Sequence, residues 1–249
     1  MITKLVTLLV PLLLLFLLPS SILHANPLLG TYDDQFTGGW TSGTYEIIQY
    51  KIYASGKVSR NKLVPIVVNL HGSGEVGKDN LKQIRVPGAA KFVRNFKKRP
   101  CILIAPQCPP GNSWMGTAGD AVLALIDDVL KEVAVADRRR VYLTGFSLGG
   151  LGTWHFLAKR PDLFAAAMPV AGAGNPDHAN LFRGVDIWIF HGKLDKHVPV
   201  KHGQAMAAAL KKAAIPHNYT EFPDKSHFLQ LTVYSREDVH QWLFQQKRE

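Results

Sequence analysis

Cysteine is nearly missing: two residues in 249. That excludes a disulfide-built scaffold and a zinc-ribbon pattern of paired cysteines. Acidic residues are outnumbered, 19 Asp and Glu against 29 Lys and Arg, leaving a net charge of +10. The bases fall in clusters: Arg94, Lys97, Lys98 and Arg99, then Arg138 to Arg140, then Lys159 and Arg160. No nucleic-acid motif accompanies them, so they read as a solvated basic face or as an attraction to anionic polymers and envelope surfaces, with no nucleic-acid partner. Internal repeats are absent, and so is low-complexity sequence beyond the N-terminus. With 47% hydrophobic and 19% charged residues, the composition predicts one globular domain with a sizeable core.

Long apolar runs are also scarce. Leu5 to Leu18, behind Lys4, is broken only by Thr7 and Pro11 and precedes small residues at Pro19-Ser20-Ser21 and Ala25. It falls short of the roughly 20 residues that span a bilayer. Residues 1–25 are expected to be a secretory signal cleaved after Ala25, with 26–249 a single exported domain, secreted or periplasmic. The alternative is an uncleaved anchor; Leu23, three residues before the cut, is not small and counts against the site after Ala25. In an exported protein Cys101 and Cys108 could pair. They flank an apparent extended run, Ile102 to Ala105, so two unpaired, mostly buried thiols are expected.

What is present is a pattern of apolar runs alternating with helical periodicity. Leu63 to Leu70, Cys101 to Ala105, Val141 to Thr144, Ala165 to Val170, Val185 to Phe190 and His217 to Phe222 read as strands. Thr44 to Tyr53 reads as a strand after an irregular lead-in ending at Gly43. Helices are expected over Ala118 to Val135, Leu148 to Lys159, His202 to Ala213 and Arg236 to Lys247, the last capped by Ser235, with a weak helical signal from Asn80 to Asn95 broken at Pro87-Gly88. After a leading antiparallel pair this predicts an α/β fold: a mostly parallel central sheet with helices on both faces. Function then belongs at the carboxyl ends of the strands.

One such end carries Gly145-Phe146-Ser147-Leu148-Gly149, a G-x-S-x-G between a strand and a helix. The glycines clear space for a turn so tight that Ser147 projects its hydroxyl from the sheet edge. A serine nucleophile needs a base, an acid and oxyanion donors. Asp195 follows the strand ending at Phe190, and His227 follows the last strand; both stand in the order Ser, Asp, His. His197, His202, His217 and His240 lie where surface placement is natural, Asp186 lies at the wrong end of its strand, and Asp224 is too near His227 in sequence. The oxyanion donors are expected to be the N–H groups of Leu148 and of Ser73, in His71-Gly72-Ser73-Gly74. Glu75 is expected to anchor that loop. Trp114, Phe146 and Phe228 are candidate substrate walls, with core packing the equal alternative.

Leu70 to Glu75, Ala105-Pro106-Gln107-Cys108-Pro109, Thr144 to Gly150 and Phe190-His191-Gly192 with Asp195 together resemble the bacterial α/β-hydrolase esterases of the phospholipase/carboxylesterase and feruloyl-esterase-like group, related to dienelactone hydrolases and prolyl oligopeptidases. The resemblance runs from about Thr44 onward. It implies an α/β-hydrolase fold, a carboxylic ester hydrolase with a Ser-His-Asp triad, and neither a metal nor an organic cofactor. Dienelactone hydrolases proper carry cysteine where Ser147 stands, and methionine is common where Leu148 stands; the second change keeps the N–H. Only 14 residues separate Val170 from Val185, too few for a helical lid, and no propeller domain is expected ahead of the hydrolase part. An open site taking a small or polysaccharide-linked ester is therefore expected. The rivals are a prolyl-oligopeptidase-type peptidase or amidase, and a non-catalytic binding protein of the same fold.

Overall fold

The computed structural model describes residues 39–54, 62–85, 87–95 and 98–249. The expected signal at residues 1–25 and its cleavage point lie outside them.

Among the described residues, eight strands form one sheet in the order β1-β2-β4-β3-β5-β6-β7-β8. They are β1 (Trp40–Tyr45), β2 (Ile48–Ala54), β3 (Val64–Leu70), β4 (Ile102–Gln107), β5 (Ala136–Phe146), β6 (Ala166–Val170), β7 (Asp186–Gly192) and β8 (His217–Phe222). The β1–β2 and β2–β4 pairs are antiparallel, and every pair from β4 to β8 is parallel. Side chains alternate across a strand, so the buried runs feed two cores at once. Ile66, Val68 and Leu70 of β3 face one core, together with Val141 and Leu143 of β5; Val67 and Tyr142 face the other.

Helices α3 (Thr117–Glu132), α4 (Leu148–Lys159) and α5 (Lys201–Lys212) cover the first face, through residues such as Val122, Ile126, Phe156 and Met206. Helices α1 (Lys82–Arg85), α2 (Pro87–Asn95), α6 (Gln230–Tyr234) and α7 (Glu237–Gln245) lie towards the second, where Phe92, Val233, Tyr234 and Leu243 are buried. Among the described residues no helix is long and apolar enough to cross a membrane.

Several boundaries differ from those read in the sequence. Thr44 to Tyr53 is two strands, because Glu46 turns the chain at φ 49°, and β1 starts at Trp40 inside the expected irregular lead-in. Helix α3 stops at Glu132; the Val133 N–H closes the last turn on the Val129 carbonyl before the chain goes extended. Strand β5 begins at Ala136, where it pairs with Val64 across a register shift, and carries Arg138 to Arg140. Ser235 does not cap α7: it ends the unanticipated helix α6, and Arg236 precedes α7 without a side-chain cap. His240 is buried rather than at the surface, its Nε2 donating to the Tyr234 carbonyl at 2.8 Å.

Between β6 and β7 the chain forms a 3-10 turn, Pro176–Phe182. Phe182 of that turn is buried against Trp154 of α4, ring centroids 5.6 Å apart, so the segment packs on the body of the domain instead of standing over the strand ends.

Candidate active site

Strand β5 runs straight into α4 through Ser147. Its φ of 56° is in the left-handed region, rare for a residue with a side chain. The turn is held from both sides: Ser147 N–H donates to the Val170 carbonyl at 3.0 Å, and the Ser147 carbonyl accepts from Leu151 N–H at 2.9 Å. A Cβ on Gly149 would stand 2.0 Å from the Leu70 carbonyl oxygen, and one on Gly145 would stand 2.2 Å from that of Gly149. Only glycine at both places lets α4 leave the sheet so abruptly.

The structure brings Ser147, Asp195 and His227 together from the ends of β5, β7 and β8. His227 Nε2 lies 2.8 Å from Ser147 Oγ, and His227 Nδ1 lies 2.7 Å from Asp195 Oδ2. A carboxylate oxygen only accepts, so Nδ1 carries the ring hydrogen and Nε2 presents a lone pair to the serine hydroxyl. The other carboxylate oxygen, Asp195 Oδ1, accepts the backbone N–H groups of His197 and Val198, both at 2.9 Å. Asp195 and His227 are buried, at 6% and 4% exposure, which removes competing water from their bond.

The loops that carry Asp195 and His227 touch at Gly192, with Leu194 N–H bound to the Lys225 carbonyl at 2.9 Å. Behind them His191 is fully buried. Its Nε2 lies 2.8 Å from the Val198 carbonyl and 3.5 Å from Asp195 Oδ2. Burial pushes the His191 pKa down, which favours the neutral ring, and Nε2 donates to that carbonyl.

The loop after β3 is fastened by residues whose part in it sequence reading did not recognise. Cys108 N–H donates to His71 Nε2 at 2.9 Å, leaving His71 Nδ1 to donate to the Gly72 carbonyl at 2.6 Å. Burial lowers the His71 pKa to about 4, which keeps Nε2 an acceptor. Gln107 is fully buried; its Nε2 donates to the Glu75 carbonyl at 3.0 Å and to Asp79 Oδ1 at 2.9 Å, and its Oε1 accepts Asn80 N–H at 2.7 Å. The signal was the Gln107-Cys108 pair at the end of β4, one strand over from the loop.

Ser73 opens a 3-10 turn, Ser73–Glu75, beyond β3, and Leu148 is the first residue of α4 beyond β5. β3 and β5 are neighbours, with Leu70 opposite Gly145, so both N–H groups stand at adjacent strand ends. The first N–H groups of a helix have no partner within it.

Of the three candidate walls, Trp114 takes the core-packing alternative. Trp114 has no exposure, and its Nε1 donates to the His71 carbonyl at 3.0 Å. It braces the loop from within the core. Phe146 and Phe228 do flank His227, with ring centroids 5.0 and 5.5 Å away, and Phe228 is 70% exposed. His197, expected as an unremarkable surface residue, lies 4.9 Å from His227 ring to ring. Cys101 and Cys108 are free and buried. Among the described residues no cluster of His, Cys, Asp or Glu is arranged to hold a metal ion.

Such an array can take a proton from a hydroxyl and return it to a departing group. Residues 113–235 match the Dienelactone hydrolase family. The solved structure of a thermostable esterase is similar over 86% of this chain and 64% of its own, with 30% identity and a TM-score of 0.77. An uncharacterized secreted protein of Arthroderma benhamiae is 24% identical over 66% of this chain. A bifunctional acetylxylan esterase/xylanase of Neocallimastix patriciarum is 27% identical over 58% of it. The chain spans 21% of the length of either curated relative. The parallel sheet, the sharp strand-to-helix turn and these likenesses give the chain an α/β-hydrolase fold, in which residues 113–235 match the Dienelactone hydrolase family.

Proposed function

We propose that this protein is an exported serine carboxylic ester hydrolase that works through an acyl-enzyme on a small or polymer-borne ester. The observation that carries the reading is the unbroken line of hydrogen bonds from Asp195 through His227 to Ser147, 2.7 and 2.8 Å long. Ser147 Oγ attacks the ester carbonyl carbon while His227 Nε2 takes its proton. Asp195 holds the ring tautomer and steadies the imidazolium. The alkoxide that forms on the carbonyl oxygen is met by the N–H groups of Leu148 and Ser73. As the alkoxide collapses, the C–O bond to the alcohol breaks and His227 gives the alcohol its proton, leaving the acyl group on Ser147. Water then attacks that ester with His227 again as base. The acid is released and Ser147 regains its hydrogen.

Export is supported by the apolar leader at residues 5–18 and by the secreted relative. An ester borne on a polysaccharide is supported by the relative whose name includes acetylxylan esterase. The test is labelling by a fluorophosphonate probe, with Ser147→Ala as the blank, followed by a panel of acetyl, butyryl, long-chain and feruloyl esters and matched anilides. Labelling that depends on Ser147, with esters cleaved well ahead of anilides, is the expected result. Folded protein that takes no label refutes the hydrolase mechanism, and faster anilide cleavage would make it an amidase.

A further inference from the structure

His227 must protonate the departing oxygen, so the alcohol half of an ester leaves past the ring that carries Nε2. That ring has three aromatic neighbours: His197 at 4.9 Å, Phe146 at 5.0 Å and Phe228 at 5.5 Å. Phe228 also meets His197 edge-on, with centroids 5.8 Å apart. Phe146 is half-buried, but His197 is exposed, and Phe228 is 70% exposed. Leu194, in the same loop as His197, is 55% exposed.

The role of His197 in holding Asp195 is carried by its backbone N–H. Its imidazole takes no part in that bond. Two exposed rings therefore stand beside the proton donor while the structural work is done by main chain. Ring faces gain most from flat partners that present π density or a sheet of C–H groups.

We propose that His197 and Phe228 form the leaving-group subsite, and that this subsite selects esters whose alcohol carries a ring with an apolar or π face over esters of open-chain alcohols. The proposal rests on the serine-esterase reading above. The shared chemistry is a ring next to the ester oxygen, which either an aryl group or a pyranose supplies.

The experiment fixes the acid and varies the alcohol. kcat/KM is measured for benzyl acetate, n-hexyl acetate and methyl 6-O-acetylglucopyranoside, all esters of primary alcohols. The wild type is expected to favour at least one ring-bearing ester over the hexyl ester by about tenfold. Which of the two is favoured identifies the source of the ring. His197→Ala and Phe228→Ala should each cut that preference about threefold, and the pair should bring it close to one. Phe228→Leu keeps apolar bulk without the ring and should behave like Phe228→Ala. The ratio of acetyl to butyryl esters of one alcohol should hold in every variant. A wild-type preference near one, with Ser147 still labelled, overturns the subsite and leaves the esterase reading standing. So does a preference that survives both substitutions, or a change confined to the acyl series. Absence of labelling and of any ester cleavage overturns both.

Discussion

Gly192 is the sharpest place to strain the site without touching a reacting atom. A Cβ there would lie 2.3 Å from the Ser226 carbonyl oxygen and 2.6 Å from that of Lys225, where ordinary contact starts at 3.4 Å. Gly192→Ala must therefore push the acid and base loops apart by about 1 Å. Ser226 adjoins His227, so the displacement falls on the 2.8 Å bond between Nε2 and Ser147 Oγ and takes it past the roughly 3.2 Å limit of proton transfer. A misplacement of about 1 Å can cost about 10²-fold in rate, and overpacking of this kind costs about 1–3 kcal/mol of stability. The assay is kcat/KM on p-nitrophenyl acetate beside a urea melt. Gly116→Ala serves as control, because its nearest contact would be an unstrained 3.9 Å. If folded Gly192→Ala cleaves the ester within threefold of the wild type, the claim that the fit of these two loops sets the rate is wrong.

Two other outcomes follow from burial. The His71 pKa is held at about 4 in the fold against an ordinary 6.5. Between those values the unfolded chain binds a proton that the native state refuses, so stability is complete above about pH 6.5 and is lost as pH falls towards 4, by about 3 kcal/mol at most. His71→Gln keeps an acceptor for Cys108 N–H but cannot titrate. Urea unfolding at pH 5 and pH 7 should then differ less than in the wild type, with His155, His191 and His240, whose pKa values burial also lowers, contributing to what remains; an unchanged difference would contradict this. Burial also pushes the Cys108 thiol up to about 11 and the Cys101 thiol well above its usual value. Neither should react with a thiol-exchange reagent in native protein at pH 8, and both should react in urea; rapid native labelling would contradict their burial.

The strands and the strand-to-helix turn were legible because each is a local pattern. A buried parallel strand needs an unbroken apolar run, and the turn needs glycine on both sides of Ser147. The order of Asp195 and His227 along the chain could be read for the same reason: each stands just beyond a strand. What escaped was set by packing between segments far apart in sequence. Trp114 looks like any aromatic in a loop, and only the fold shows it beneath the His71 carbonyl. His197 is ordinary until β7 and β8 lie side by side and put its ring against His227. His240 shares its helix with Val239 and Leu243, but only the fold shows its ring against Phe92, centroids 4.9 Å apart. Ser235 has the chemistry of a helix cap, but the preceding five-residue helix claims it as an end.

Asp195 divides its two oxygens between different tasks. Oδ1 is tied to the main chain of its own loop, and Oδ2 alone faces the imidazole. A carboxylate gripped this way cannot spin, so it dictates the tilt of the ring without help from the side chains around it. An engineer seeking new selectivity can therefore randomise positions 194, 197 and 228 together and still expect a working proton relay in much of the library. The same freedom does not extend to 145, 149 and 192, where the smallest added carbon would collide with main chain.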